Sequence, residues 1–126
     1  MRILLDSHVV LWWLDGHASL GEQCRDLIAD ADEVFVSAVT PWELGIKQAS
    51  GKLRLPGMIS EASKAAGFSE LPVEAQHAEL APTLPLHHRD PFDRMLVAQA
   101  QLESLVLVTA DTALSDYDVD QFDAYS

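Results

Sequence analysis

The chain has 126 residues, of which 48% are hydrophobic and 22% charged, with 20 acids against 8 Lys and Arg and a formal net charge of −12. This composition excludes a disordered chain and predicts one folded domain, residues 1–126, able to bury roughly two thirds of its unfolded surface. The acid excess argues against direct contact with phosphates, which takes Lys and Arg, unless divalent metals turn an acidic cluster into a phosphate site or a basic partner covers the surface.

No apolar run approaches the ~20 residues of a membrane span. The stretch from Met1 to Asp6 is too short and too soon acidic for a signal peptide. The single cysteine, Cys24, has no disulfide or metal-site partner, which suits a reducing compartment, so a cytoplasmic protein is expected.

In chain order, Arg2 to Leu5 reads as a strand ended by Asp6, and Val9 to Leu14 as a short helix broken at Asp15-Gly16. Ser19 and Glu22 have the spacing of a capping box for a helix through Cys24, Leu27, Ile28 and Ala31. Glu33 to Ser37 reads as a strand. Thr40-Pro41-Trp42-Glu43 opens a helix by the same grammar of cap, proline and acid. Gly51 to Gly57 is a connection, and Ile59 to Ala66 a helix stopped by Gly67. Phe68 to Leu71 is a candidate short strand, Val73 to Ala81 a helix, and Pro82 to Arg89 a loop.

Asp90-Pro91 then opens a helix, with an acid at the N-cap and proline at the first helical position. Phe92, Met95, Leu96, Ala100 and Leu102 recur at helical spacing and predict its buried face. Leu105 to Val108 is the most strand-like run of the chain. Thr112 to Ser115 is a turn, and Val119 to Ala124 alternates like an edge strand. Strands alternating with helices predict an α/β fold with a parallel sheet covered on both faces, and a ligand site beyond the carboxyl ends of the strands.

The acids fall at that edge. Asp6 follows the first strand, Glu43 lies in the helix after the second, and Asp111 follows the strand Leu105 to Val108. Asp93 opens a helix that feeds this strand, and a crossover helix enters from the carboxyl edge. At ~4–5 Å and an effective dielectric of 20, each pair of charged acids repels by roughly 3–4 kcal/mol. Either some protonate or a cation binds. Oxygen ligands without Cys or His indicate a hard cation, Mg²⁺ or Mn²⁺, and such a site implies phosphodiester hydrolysis. The plain alternative is that Asp90 caps its helix, Asp93 supports the helix dipole and Asp111 caps a turn.

Several of these stretches carry a resemblance. Leu4-Leu5-Asp6-Ser7-His8 with Leu11-Trp12-Trp13-Leu14, Val36-Ser37-Ala38-Val39 leading to Trp42-Glu43, Gly51-Lys52-Leu53, His87-His88-Arg89-Asp90-Pro91-Phe92-Asp93-Arg94, and Leu107-Val108-Thr109-Ala110-Asp111 stand in the order and spacing of the PIN domain. The chain resembles that family and, within it, the VapC-like toxins of bacterial toxin–antitoxin pairs. The resemblance implies a three-layer α/β/α fold with about five mostly parallel strands, and a Mg²⁺- or Mn²⁺-dependent endoribonuclease. It places Asp6, Glu43, Asp93 and Asp111 as catalytic, metal-holding acids and Asp90 as an additional ligand. Ser7 stands where Thr is more usual, and the hydroxyl is kept.

Arg89, Arg94, Lys47, Lys52 and Arg54, with Ser7 and Thr109, are the candidates for contact with an RNA backbone. His87 and His88, like His8, His17 and His77, read as loop or surface residues and not ligands. Trp12, Trp13 and Trp42 read as core or interface. The expected partners are an antitoxin whose basic tail enters the acidic pocket, an RNA substrate and a second copy of the chain in a two-fold dimer. Two other classes stand beside the nuclease. One is a non-catalytic binding module with a structural cation. The other is a haloacid-dehalogenase-like phosphatase, ranked last because His8 occupies the position where that chemistry needs a second Asp.

Overall fold

The computed structural model describes all residues, 1–126. Five strands form one sheet in the order β3-β2-β1-β4-β5, and every neighbouring pair is parallel. The strands are β1 (Arg2–Leu5), β2 (Glu33–Ser37), β3 (Ser69–Leu71), β4 (Val106–Thr109) and β5 (Gln121–Asp123). The helices are α1 (Ser7–Asp15), α2 (Glu22–Asp30), α3 (Val39–Ala49), α4 (Ile59–Ala65), α5 (Ala75–Leu80) and α6 (Pro91–Glu103), with single 3₁₀ turns at Ala81–Thr83 and Thr112–Leu114. None of the helices is long and apolar enough to cross a membrane.

Successive residues of a strand point to opposite faces, and the core divides accordingly. Ile3, Leu5, Val34, Val36 and Val108 pack with Val9, Val10, Cys24, Ile28 and Ile59 on one face, while Leu4, Phe35 and Leu107 pack with Leu96, Val97 and Ala100 of α6 on the other. This is the three-layer α/β/α arrangement expected from alternating strands and helices. The chain runs outward from β1 through β2 to β3, then crosses back to place β4 on the other side of β1. The sheet therefore has its topological switch between β1 and β4, where a doubly wound sheet opens a crevice.

α1 starts at Ser7, two residues before the expected Val9, and α5 at Ala75, two after the expected Val73, while α2 and α3 differ in their caps. α2 begins at Glu22 with Gly21 as its N-cap, and Ser19 makes no cap. Its free N–H groups are satisfied from the far end of the chain, with Gly21 N–H donating to Ala124 O at 2.9 Å and Gln23 N–H to Ser126 O at 2.9 Å. A Cβ on residue 21 would lie 2.0 Å from the carbonyl carbon of Ser126, so only glycine fits. α3 begins at Val39, two residues before the expected Pro41, so Thr40 is buried in its first turn and not its cap, and Glu43 falls beyond that turn. Ser37 Oγ accepts the Val39 N–H at 3.2 Å instead.

Two burial expectations are also corrected. Leu102, expected on the buried face of α6, is 42% exposed, because Val97, Ala98 and Ala100 carry the packing at that end. His77 is wholly buried and not on the surface. Its Nδ1 accepts the Glu74 N–H at 3.0 Å and closes a capping box for α5.

Arg94 departs furthest from expectation. It was a candidate for RNA contact, but only 7% of it is exposed. Its guanidinium donates to the carbonyls of Ala81, Pro82, Leu84, Pro85 and His88 and to the Tyr117 hydroxyl at 2.8–3.3 Å. The loop between α5 and α6 has little regular backbone pairing, and its inward carbonyls need donors. The five N–H groups of a planar guanidinium supply them. Arg94→Lys keeps the charge and loses the fork, and is expected to lower stability by about 2–4 kcal/mol. Urea unfolding and limited proteolysis between residues 81 and 90 measure this. An unchanged midpoint and uncut loop would show that the clamp is dispensable.

Candidate active site

The acids meet at the carboxyl edge of β1 and β4. Asp6 follows β1 and is almost fully buried. As N-cap of α1 its Oδ1 accepts the Val9 N–H at 3.0 Å, and its Oδ2 accepts from Thr109 Oγ1 at 2.5 Å. Burial is the largest influence on this carboxyl and pushes its pKa up, against the two hydrogen bonds, which pull it down. Glu43, in the first turns of α3, is also buried. Its Oε1 accepts from Ser7 Oγ at 2.6 Å, and its Oε2 lies 3.5 Å from Lys47 Nζ one turn later. Ser7 and Thr109 therefore do something other than the RNA contact expected of them. Both are buried and aim carboxylates, so neither is available to a phosphate backbone in this arrangement.

Asp90 caps α6 as the sequence predicts, with Oδ1 accepting from Phe92 N–H at 2.8 Å and Asp93 N–H at 3.3 Å. Asp93 follows in the first turn of the same helix. Its pKa is raised to about 7, first by burial and then by the charges of Asp90, Glu43 and Asp6, with His88 pulling the other way. Asp6, Glu43 and Asp90 are thus all near enough for their charges to act on Asp93. Asp111 joins from β4. Its Oδ1 caps the turn at Ala113 N–H (2.9 Å), and its Oδ2 lies 3.0 Å from His88 Nε2. The carboxyl side chain is 41% exposed, more open than those of Asp93 and Glu43.

His88 was read as a loop residue and is the member of the site that the pattern of acids did not reveal. Its Nε2 also lies 3.1 Å from Asp93 Oδ2. One ligand atom each of His88, Asp93 and Asp111 lie within 4.8 Å of one another. The only sequence signal was position, two residues before the helix-capping Asp90. Arg89, Lys52 and Arg54 are exposed as expected for solvent-facing bases, and Lys47 is half-buried.

These residues fit a divalent cation. The donors are carboxylate oxygens, the choice of Mg²⁺ and Mn²⁺. Lys47 offsets part of the charge at Glu43, while burial first and the neighbouring carboxylates second drive Asp93 toward its neutral form. The plain capping reading accounts for one oxygen each of Asp6, Asp90 and Asp111, but not for the crowding of Asp93.

An acid with a raised native pKa binds a proton that the unfolded chain releases, so stability falls as pH rises between the two values. For Asp93 the window runs from 3.8 to about 7. Without metal, Asp93→Asn is expected to match the wild type near pH 4 and to exceed it by roughly 2–4 kcal/mol above pH 7. Chemical denaturation of both proteins in EDTA across this range tests it. A variant weaker than wild type by a few tenths to ~1 kcal/mol at every pH above 5 would mean that Asp93 only supports the helix terminus.

The profile of the PIN domain matches residues 3–120. Ribonuclease VapC22 of Mycobacterium tuberculosis is 30% identical over 118 residues, spanning 91% of each chain. Among solved structures, VapBC2 of Rickettsia felis bound to a DNA fragment from its promoter superposes with a TM-score of 0.72 at 13% identity, covering 98% of both chains. A toxin–antitoxin complex from Klebsiella pneumoniae gives 0.71 at 17%, and a DNA-bound VapBC from Salmonella typhimurium 0.72 at 16%, each again covering 98% of both chains. The structural likenesses carry the fold, and the match in sequence carries the kinship: the chain belongs to the PIN domain family, in its VapC-like group.

Proposed function

We propose that this protein is a metal-dependent endoribonuclease and the toxin of a toxin–antitoxin pair. The single observation that carries this reading is Asp93, a half-buried acid held against three other carboxylates at the sheet's switch point and pushed up to about 7. Kinship with a protein named a ribonuclease supports the substrate class. Asp6, Glu43, Asp93 and Asp111 would hold Mg²⁺ or Mn²⁺, with Asp90 as an additional ligand once its capping bonds loosen. When bound, the cation offsets phosphate charge and lowers the pKa of an attacking water.

The chain's own groups prepare that chemistry. Thr109 and Ser7 hold one oxygen each of Asp6 and Glu43 and so aim the remaining ones. Burial and the neighbouring carboxylates keep Asp93 easily protonated, which makes cation binding and proton release one event. Arg89, Lys52 and Arg54, exposed bases on a chain of net charge −12, are the backbone contacts for RNA. Lys47 joins them if it leaves Glu43.

The binding-module reading shares the cation and lacks the hydrolysis, so a cleavage assay divides the two. With single-stranded RNA, Mg²⁺ or Mn²⁺ is expected to permit cutting and EDTA to abolish it, while Asp6→Asn and Asp93→Asn lower the rate by at least about 100-fold. Full binding of cation with no cleavage of any RNA would favour the module. Titration calorimetry of Mg²⁺ near pH 6 in two buffers of different ionisation heat is expected to report proton release, fading above pH 7. No buffer dependence would mean that Asp93 is not a ligand.

The partners we propose are an antitoxin and a second copy of the chain. Trp42, 64% exposed beside Glu43 and edge-on to Phe92 with ring centroids 5.0 Å apart, offers an apolar rim to the acidic pocket. A segment with an apolar anchor followed by Arg or Lys suits that rim. Its affinity is expected to fall steeply with salt. Light scattering at micromolar concentration is expected to give twice the 13.8 kDa chain mass; a monomer there would remove the dimer.

A further inference from the structure

His88 is held from three sides. Its backbone N–H donates to the Tyr117 hydroxyl at 3.1 Å, and its carbonyl accepts from Arg94 at 3.2 Å. The N–H of Asp90 donates to its ring Nδ1 at 3.2 Å. The third contact decides the chemistry of the ring. A backbone N–H only donates, so Nδ1 must present its lone pair. An imidazole with a bare Nδ1 carries its proton on Nε2. The contacts from Nε2 to Asp93 Oδ2 and Asp111 Oδ2, at 3.1 and 3.0 Å, are then one N–H shared between two carboxylates.

The same three side chains also have the spacing of a His–Asp–Asp metal site. Ligation would need a lone pair on Nε2. A ring that accepts at Nδ1 and ligates through Nε2 keeps no proton on either nitrogen. Turning the ring to ligate through Nδ1 would break the bond from Asp90, in a loop already fixed by Arg94 and Tyr117. The hydrogen bond from Asp90 and ligation by His88 therefore exclude each other.

We propose that His88 is not a metal ligand but a positioning residue, an Nε2–H donor that ties Asp93 to Asp111 and leaves an all-oxygen donor set for the cation. The purpose of the tie rests on the nuclease reading above, whereas the state of the ring does not. A neutral donor between the two carboxylates softens their repulsion without adding a nitrogen to the coordination sphere. Such a set favours Mg²⁺ and Mn²⁺ over the nitrogen-seeking cations, and outer partners of this kind hold ligand carboxylates in place.

Protein labelled with ¹⁵N at histidine tests the ring directly. In the metal-free state, long-range ¹H–¹⁵N correlation is expected to show a bare Nδ1 and a protonated Nε2 for His88, assigned by its loss in His88→Gln. With Mn²⁺ added, pulsed electron paramagnetic resonance is expected to show no nitrogen coupling from His88. His88→Ala is expected to weaken Mn²⁺ binding by about 10–100-fold. His88→Gln, which keeps an N–H at similar reach, should restore most of it. A bare Nε2 in the metal-free protein, a coupling that disappears in His88→Gln, or an alanine variant that binds Mn²⁺ like wild type would each overturn the proposal. Should the protein bind no Mn²⁺ and cut no RNA, the nuclease reading falls, and the spectrum of the metal-free ring still decides whether His88 is the donor.

Discussion

The burial of several acids at one edge of the sheet is the constraint that the rest of this structure must accommodate. Asp6, Glu43, Asp90 and Asp93 lie close enough that three of them raise the pKa of the fourth. Nothing in local conformational preference would bring them together. They are held there by a sheet whose strands end at a common edge and by helices whose first turns open onto it. The energy comes from apolar packing on both faces of the sheet, and the cluster draws on it. A chain folded for stability alone would have scattered these acids over its surface.

The cluster is made tolerable by small local arrangements. Asp6, Asp90 and Asp111 each place one oxygen on the N-terminal N–H groups of a helix or turn, where the backbone dipole favours negative charge. Thr109 and Ser7 donate to Asp6 and Glu43, and Lys47 pairs with Glu43 from the next turn. Capping need not exhaust these acids, since a carboxylate has two oxygens and each can have its own partner. Asp93 makes no such cap, and burial and its neighbours raise its pKa to about 7.

Arg94 plays the complementary part. It lies one residue after Asp93 in the same helix and gathers the carbonyls of the loop 81–88. That loop carries His88 and delivers the chain to Asp90. A single buried guanidinium thus fixes the approach to the site, although it touches none of the four acids. Its charge, which in the sequence reads as a contact for phosphate, is directed inward.

The sequence by itself determined the alternation of strands and helices, because apolar periodicity and turn residues act over a few positions. Glu33–Ser37 and the cap Asp90 with Pro91 are found where local pattern puts them. It also determined that Asp6 and Asp111 follow strands, that Asp93 lies in the first turn of a helix and that Glu43 lies near the start of another, which in a parallel sheet means one edge. Only the tertiary structure decided which polar groups meet. The cap of α2 comes from residues a hundred positions away, the donors of Arg94 find carbonyls in a loop without regular pairing, and Leu102 is left exposed by the way α6 lies on the sheet. His88 lies between Asp93 and Asp111 for the same reason. A hydrogen bond between side chains depends on distance and direction fixed by packing, and no spacing along the chain encodes either.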